Sequence, residues 1–565
     1  MLFYDFEVFK HDWLVVIVNT ETKTEVVIEN DLEKFIDFYN ENKNNIWVGY
    51  NSRHYDQYIV KGIVCGFTPQ EVNDWIIMQR KPGWQFSRAF FKVKFYNFDI
   101  MNGFHSLKQL EAFMGHDIRE TTVPFDIDRK LIRKELNEVI FYCRHDVNET
   151  IEVFMNRIEE FQSHLQLINE FELPLKYISK TQAQLSSIIL GANKVKNIEA
   201  DELDMLFPET MRITKYKSVV DFYKENEDKG RKLVIEICGV KHVFAWGGVH
   251  GAEDNVNITC ADDEYLIMAD VDQLYPTIMV KYNLLSRAVS NPSIFQNILD
   301  TSLRLKKEKK KKEREPFKRI CNITYGAEGD QFNNMYDPRN RKLVCIFGQL
   351  LLLDLIEQSE EIKSLKLIQS NTDGVLIKIK KTDFDLLDDI LFEWEERTGL
   401  NMSVDFYKTI IQKDVNNYIL VDHDGNYKSK GAYVKKLDNL DYDLPIVNKA
   451  VVDYLVHGIP VSVTISKCNE LREFQKVIKI SNKYEYAILG NKKQSEKVFR
   501  LFASNDKNDK QLRKVKDGSP SKIAYTPDIC FIDNTDVTTK KVPAKLDKVW
   551  YIEMAKKRIN DFLGK

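Results

Sequence analysis

Residues 367–377, "LIQSNTDGVLI", set a polar tip between two short apolar, β-rich runs. Asn371-Thr372-Asp373-Gly374 is tight-turn chemistry, so the chain doubles back there with the Asp373 carboxylate at the tip. Upstream, "EYLIMADVDQLYPTIM" (264–279) holds a second apolar run that reads as a buried strand ending at Asp270. "LYP" then turns the chain, and Pro276 suits the opening of a helix. Each acid alone has an ordinary reading as turn or cap chemistry. Between them lies "KRICNITYGAEG" (318–329), with Lys318, Asn322 and Tyr325-Gly326 at i, i+4, i+7 and i+8. On a helix the first three share one face, and the ordinary reading is an amphipathic helix with a solvated lysine.

Strand-like alternations and helix-like stretches are mixed along all 565 residues, so the class is α/β and α+β, with several domains. "MLFYDFEVF" and "WLVVIVNT" read as strands, "NEVIFYCRHDVNETIEVFMNRIEEF" (137–161) has helical spacing, and the pattern loosens near residue 190. "YKENEDKGRKLV" (223–234) suits a loop or hairpin, 444–457 a helix, and 546–563 a final amphipathic helix. "GQLLLLDLI" (348–356) is too short to span a membrane and is broken by Asp354, so it reads as a buried helix. With no signal peptide evident, the expected location is the cytoplasm, that of a bacterial host cell if the chain is phage-encoded. The eight cysteines form no C-x-x-C pair, which disfavours a zinc site and points to reduced thiols.

A net charge of −3 supplies no global basic field, so nucleic-acid binding has to come from local patches. "LRLKKEKKKKEREPFKR" (303–319) is one, with ten Lys/Arg and three Glu. A solvated face is its ordinary reading.

The front of the chain carries a second set of acids. Asp5 and Glu7, at i and i+2, point to one face of a strand. "VGYNSRHYDQYI" supplies Asn51, Tyr55 and Asp56, and "FYCRHDVNET" supplies Tyr142 and Asp146 at i and i+4 on a helix. Singly, these are ordinary solvated acids and a core tyrosine. "HSLKQL" (105–110) has Ser106 placed to cap a helix.

"DVDQLYP", "KRICNITYG" and "QSNTDG" together, in that order, resemble motifs A, B and C of family B DNA polymerases (D-x-x-S-L-Y-P, K-x-x-x-N-S-x-Y-G, Y-x-D-T-D-S). Gln273, Ile323, Asn371 and Gly374 depart from those patterns, and Asn371 removes a carboxylate. D-x-E, N-x-x-x-[FY]-D and Y-x-x-x-D at the front resemble the DnaQ-type 3′→5′ exonuclease that precedes these polymerases. The fold this resemblance implies is an RNase H-like exonuclease domain followed by a right-hand polymerase of palm, fingers and thumb. It implies exonuclease over 1–190, N-terminal palm and linker with motif A over 191–295, and fingers with motif B over 296–335. Palm with motif C would span 336–435, and thumb and C-terminal region 436–565.

The implied chemistry is nucleotidyl transfer with two Mg²⁺ per active site, Mn²⁺ able to substitute. Asp270, Val271 and Asp373 are the implied ligands in the polymerase site, and Asp5, Glu7, Asp56 and Asp146 those in the exonuclease site. Tyr142 would orient the attacking water. Lys318 would hold the triphosphate, Tyr325, Asn322 and Gly326 would support the incoming nucleotide, and Tyr275 would exclude a 2′-OH. Lys306 and Arg314, on the Lys318 side at multiples of four, join the nucleotide-binding set. Asn51, Tyr55, Ser106 and Leu107 would hold a frayed strand. Gly247 and Gly248 of "FAWGGVHG" resemble a Y-x-G-G/A element that contacts DNA, with Ala245 in place of tyrosine. Tyr418 fits a K-x-Y element in which Asn416 replaces lysine, and Lys428 and Lys430 of "YKSKGAYVK" would hold primer phosphates.

The implied partners are primer-template DNA, dNTPs and, in the protein-primed branch, a terminal protein or other replication accessory proteins. About 40 residues between motifs A and B and about 45 between B and C leave out the insertions of that branch. The alternative function is a 3′→5′ exonuclease with a degenerate, DNA-binding polymerase module, which Asn371 and Asn416 motivate.

Overall fold

The computed structural model describes residues 1–199, 204–225 and 230–565. They form two compact units, Met1–Lys180 with Leu437–Val447 and Ser462–Glu553, and Thr181–Lys436 with Asn448–Val461 and Met554–Lys565. Residues 436–565, one segment in the sequence reading, therefore contribute to both.

The first unit is built on β1 (Leu2–Val8), β2 (Trp13–Asn19), β3 (Thr24–Glu29), β4 (Ile46–Gly49) and β5 (Tyr96–Asp99), in the order β3-β2-β1-β4-β5. β1 runs antiparallel to β2 and parallel to β4. Its alternation sorts the side chains. Leu2, Tyr4, Phe6 and Val8 enter an apolar core with Trp13, Phe35 and Trp47. Phe3, Asp5 and Glu7 take the other face, where Phe3 meets Phe154 of helix Arg133–Asn156 edge-on at 5.2 Å. The apolar spacing read over 137–161 is split at Arg157, where a second helix, Ile158–Glu170, begins.

The second unit holds β6 (Leu233–Ile237), β7 (Val240–Ala245), β8 (Gly248–Ala252), β9 (Val256–Thr259) and β10 (Glu264–Val271). It also holds β11 (Lys366–Ser370), β12 (Gly374–Lys380), β13 (Met402–Tyr407), β14 (Thr409–Asp414), β15 (Asn417–Val421) and β16 (Tyr427–Lys430). Seven of them form one sheet, ordered β13-β10-β12-β11-β8-β7-β6, and four another, β16-β15-β14-β9. The two apolar runs that end in acids are thus adjacent antiparallel strands, β10 and β12. Residues 223–225 of the stretch read as a loop close helix Lys217–Glu225, residues 226–229 lie outside the described residues, and Leu233 and Val234 open β6.

The basic run does not form one helix. Pro292–Lys307 and Lys311–Glu328 are two helices joined by a short turn at 308–310 and packed side by side. The apolar run at 348–356 lies inside helix Pro338–Ser359, buried along most of its length. No described helix is long and apolar enough to cross a membrane.

The remaining strands belong to the first unit. β17 (Lys476–Lys479), β20 (Val498–Ala503) and β23 (Cys530–Ile532) form a three-stranded sheet. β18 (Tyr486–Leu489), β19 (Lys492–Gln494), β21 (Leu512–Lys516) and β22 (Ser519–Lys522) form a four-stranded one. Arg500 of β20, fully buried, donates to the carbonyls of Ala112 (3.1 Å) and His116 (2.8 Å) at the end of helix Leu107–Met114. Those bonds fasten the C-terminal sheets to the N-terminal part of their unit, because an unpaired buried guanidinium is costly.

Asp354, the residue that interrupts the apolar run, is fully buried and accepts from Arg397 at 2.8 Å. Asp354→Ala removes the buried one of the two carboxylates that pair with Arg397, leaving only Glu393, and is expected to destabilise this unit by about 3 kcal/mol. An unfolding midpoint equal to wild type in urea would contradict that role.

Candidate active sites

In the second unit, Asp270 stands opposite Gly374 of β12 on one side and Ser403 of β13 on the other. A Cβ at residue 374 would collide with the Asp270 carboxylate and stand 2.7 Å from the Ala269 carbonyl. Glycine at 374, a departure from the motif C pattern, is therefore what lets the Asp270 side chain lie over its neighbour strand. The Asn371 side chain shapes the turn. Its Oδ1 accepts from the backbone N–H of Asp373 (3.1 Å) and Gly374 (2.7 Å). The Val271 N–H donates to the Asp373 carbonyl at 2.7 Å, which ties the turn to the end of β10.

Burial, then repulsion from Asp373 and Asp405, pushes Asp270 up to about 6. Desolvation also raises Asp373 at the tip, and Lys430 opposes it. The Tyr418 phenol is raised by burial and then by the negative field of Asp270 and Asp373. Trp246 and Gly247 form the β7–β8 turn, Gly248 opens β8, and a Cβ at 248 would lie 3.9 Å from Thr372 Oγ1 of the acid-bearing turn. Lys428 donates to Asp405 at 3.0 Å, and Lys430 is exposed.

A cavity of about 490 Å³ opens beside the pair. Val271, Tyr275, Lys306, Arg314, Lys318, Asn322, Tyr325 and Asp373 all line it, and Gly326 does not. Arg314 reaches it one turn before Lys318 on the same helix, as the four-residue spacing predicts, whereas Lys306 reaches it from the neighbouring packed helix, because the turn at 308–310 interrupts that spacing. Lys306 is paired with the Asp272 carboxylate and donates to Ser403 Oγ at 2.7 Å. The rings of Tyr275 and Tyr325 meet at 4.4 Å, and the Arg341 guanidinium lies 5.4 Å from the Tyr325 ring.

In the first unit, Asp5 and Glu7 face helix Arg133–Asn156, whose Tyr142 and Asp146 lie one turn apart. Asp56 opens helix Asp56–Val64 and accepts from the Phe6 N–H at 3.3 Å, between the two β1 acids. Glu7 is pushed up to about 8 by burial and then by Asp146 and Asp56. Asp56 is pushed up to about 7, chiefly by burial. Asp5 is raised well above the usual range by burial and then by Asp56, Glu7 and Asp146. Lys108 answers part of this charge, donating to Asp146 at 2.7 Å and Glu111 at 3.0 Å.

A cleft of about 930 Å³ runs past Glu7, Asn51 and Tyr55, with Ile77, Met78 and Phe125 on its walls. Tyr55 donates to Asn73 Oδ1 at 2.8 Å. Ser106 is the N-cap of helix Leu107–Met114, and Gln109 Oε1 accepts from its backbone N–H at 3.2 Å. The Ser106 hydroxyl is buried without a hydrogen-bond partner among the described residues.

Both clusters fit hard divalent cations. Each crowds carboxylates whose pKa values are raised, first by burial and for Asp5, Glu7 and Asp270 also by neighbouring acids, and a cation would stabilise their ionised forms. Sequence reasoning missed Lys108, Glu111, Cys143 and Asp405. Lys108 sits inside the quoted "HSLKQL", but nothing in its spacing points to Asp146. Asp405 reaches the Asp270 face only through the register that sets it opposite Met268.

No family model and no curated relative matches the chain. Among solved structures, it is similar to the family B DNA polymerase from the hyperthermophilic archaeon Pyrobaculum calidifontis. The identity is 15%, the match covers 99% of this chain and 77% of that one, and the TM-score is 0.44.

The raised carboxyls carry a sign. The folded, metal-free chain holds protons that the unfolded chain releases from about pH 4 upward. Its stability is therefore expected to fall as pH rises from about 4 through the values near 6, 7 and 8 of Asp270, Asp56 and Glu7. Glu7→Gln is expected to flatten the upper part of that fall. Melting temperatures in chelator across this range check it, and a wild-type profile that rises toward pH 8 would contradict it.

Proposed function

We propose that the chain is a DNA-directed DNA polymerase of phage type, related to family B, with a 3′→5′ proofreading exonuclease. The observation that carries the reading is the meeting of Asp270 and Asp373 on paired strands beside a cavity lined by Tyr275, Lys318, Asn322 and Tyr325.

In this reading Asp270, Val271 and Asp373 would hold two Mg²⁺, or Mn²⁺, which would supply charge stabilisation to a phosphoryl transfer. The side chains do the rest. Lys318 and Arg314 attract the triphosphate as fixed cations on the cavity wall. Tyr275, held against Tyr325, fills the space a ribose 2′-OH would need. Asn371 keeps Asp373 in place through two backbone bonds, so the missing carboxylate costs charge but not geometry. Tyr418, Gly247, Gly248, Lys428 and Lys430 flank the acids and would receive the primer.

The first unit supplies the editing activity. Asp5, Glu7, Asp56 and Asp146 would hold two divalent cations, Tyr142 would orient water, and Asn51, Tyr55, Ser106 and Leu107 would hold the frayed 3′ end. The strand order β3-β2-β1-β4-β5 supports an RNase H-like assignment for 1–190. Fingers at 296–335, palm on either side of them and thumb beyond 435 complete the division. The partners are primer-template DNA and dNTPs, with accessory proteins or a terminal protein at initiation, in the cytoplasm.

Primer extension on a short primed template tests this, with Asp5→Ala to silence degradation. Extension is expected, and adding Asp373→Ala is expected to reduce it by roughly 10²–10³-fold or more. Degradation by wild type with no extension by Asp5→Ala would leave an exonuclease carrying a degenerate module.

A further inference from the structure

We propose that the first-unit cluster is a mixed oxygen–sulfur site. In it Cys143 Sγ joins Asp5 and Glu7 to hold a thiophilic divalent cation such as Zn²⁺, Co²⁺ or Cd²⁺. The proposal deepens the reading of this cluster as a metal-dependent exonuclease and rests on it.

Cys143 is fully buried on helix Arg133–Asn156, one residue past Tyr142 and one turn before Asp146. Its sulfur does not simply fill the core. It lies 3.4 Å from the Asp5 carbonyl and 3.7 Å from Asp5 Oδ2. Ligand atoms of Asp5, Glu7 and Cys143 all fall within 4.8 Å of one another. A tetrahedral cation with a sulfur at about 2.3 Å and an oxygen at about 2.0 Å separates those two atoms by about 3.5 Å. The observed sulfur–oxygen distance of 3.7 Å is close to that spacing, and a Glu7 oxygen lies within 4.8 Å of both atoms. Binding would form a metal–sulfur bond and release the thiol proton to water.

The donor set decides which cation is favoured. Mg²⁺ takes oxygen and gains nothing from a thiolate, whereas zinc-like cations gain strongly. No cysteine groups in this way with the acids of the second unit among the described residues. A thiophilic cation is therefore expected to occupy the editing site in preference to the Asp270–Asp373 site, and to slow degradation at concentrations that spare extension.

Titration of the metal-free full chain with Co²⁺ tests this through the near-ultraviolet thiolate-to-cobalt absorption, which needs no turnover. Wild type and Asp270→Asn are expected to show the band. Cys143→Ser is expected to lose it and to bind Co²⁺ on the order of tenfold or more weakly. A band retained in Cys143→Ser, or absent from wild type, overturns the proposal. Zinc-edge X-ray absorption on wild type with one equivalent of Zn²⁺ requires no variant. One sulfur near about 2.3 Å supports the site, and a shell of oxygen and nitrogen alone overturns it. The exonuclease reading is judged apart, by Mg²⁺-dependent degradation of a single strand. Degradation without the cobalt band sinks the mixed site alone, and the band without degradation sinks the exonuclease reading alone.

Discussion

The Asp270 carboxylate occupies the space that a side chain at residue 374 would need. Glycine at 374 makes room for that carboxylate in the observed register of β10 against β12, which pairs Asp270 with Gly374 and sets what lies around it. It brings Asp373 to the end of β10, where the Val271 N–H holds the turn by the Asp373 carbonyl. It leaves Ser403 opposite Asp270 and so turns Asp405, two residues on, toward the same face. A one-residue slip would send Asp270 to the opposite face of the sheet.

The two acid clusters solve the same electrostatic problem differently. In the first unit the acids are pressed between β1 and a helix, and a single ammonium, Lys108, spans Asp146 and Glu111. Burial is the largest cause in both units, and Glu7, the more deeply enclosed, reaches about 8. In the second unit the acids sit at the mouth of an open cavity. Lys428 and Lys430 moderate them from the β16 strand, and Asp270 reaches only about 6. Both arrangements crowd partly or fully buried carboxylates, a charge that a bound cation would offset.

Much of this was legible in the residues. Strand runs ending in acids, the polar tip at 371–374 and the face shared by Lys318, Asn322 and Tyr325 depend on local periodicity, which a single sequence displays. Register does not. Asp405 lies in an unremarkable alternation and gains its position only through pairing with Met268. The cysteines invited a reading by spacing, and Cys143 has no sequence partner because its partners, Asp5 and Glu7, lie on another element. The basic run misled in a different way. Its charge pattern suggested one helical ladder, but Lys309 adopts a left-handed conformation (φ 59°) and the chain turns there. Asn371 looked like a loss, and only the hydrogen bonds of the turn explain why the position keeps its shape without the charge.

Anomalous diffraction from crystals grown with Mn²⁺, primer-template and a non-hydrolysable dNTP analogue tests the central claim most directly. The account requires anomalous density between Asp270 and Asp373, and a separate signal among Asp5, Glu7 and Asp146. Manganese at neither cluster, or only at sites remote from these carboxylates, would contradict it.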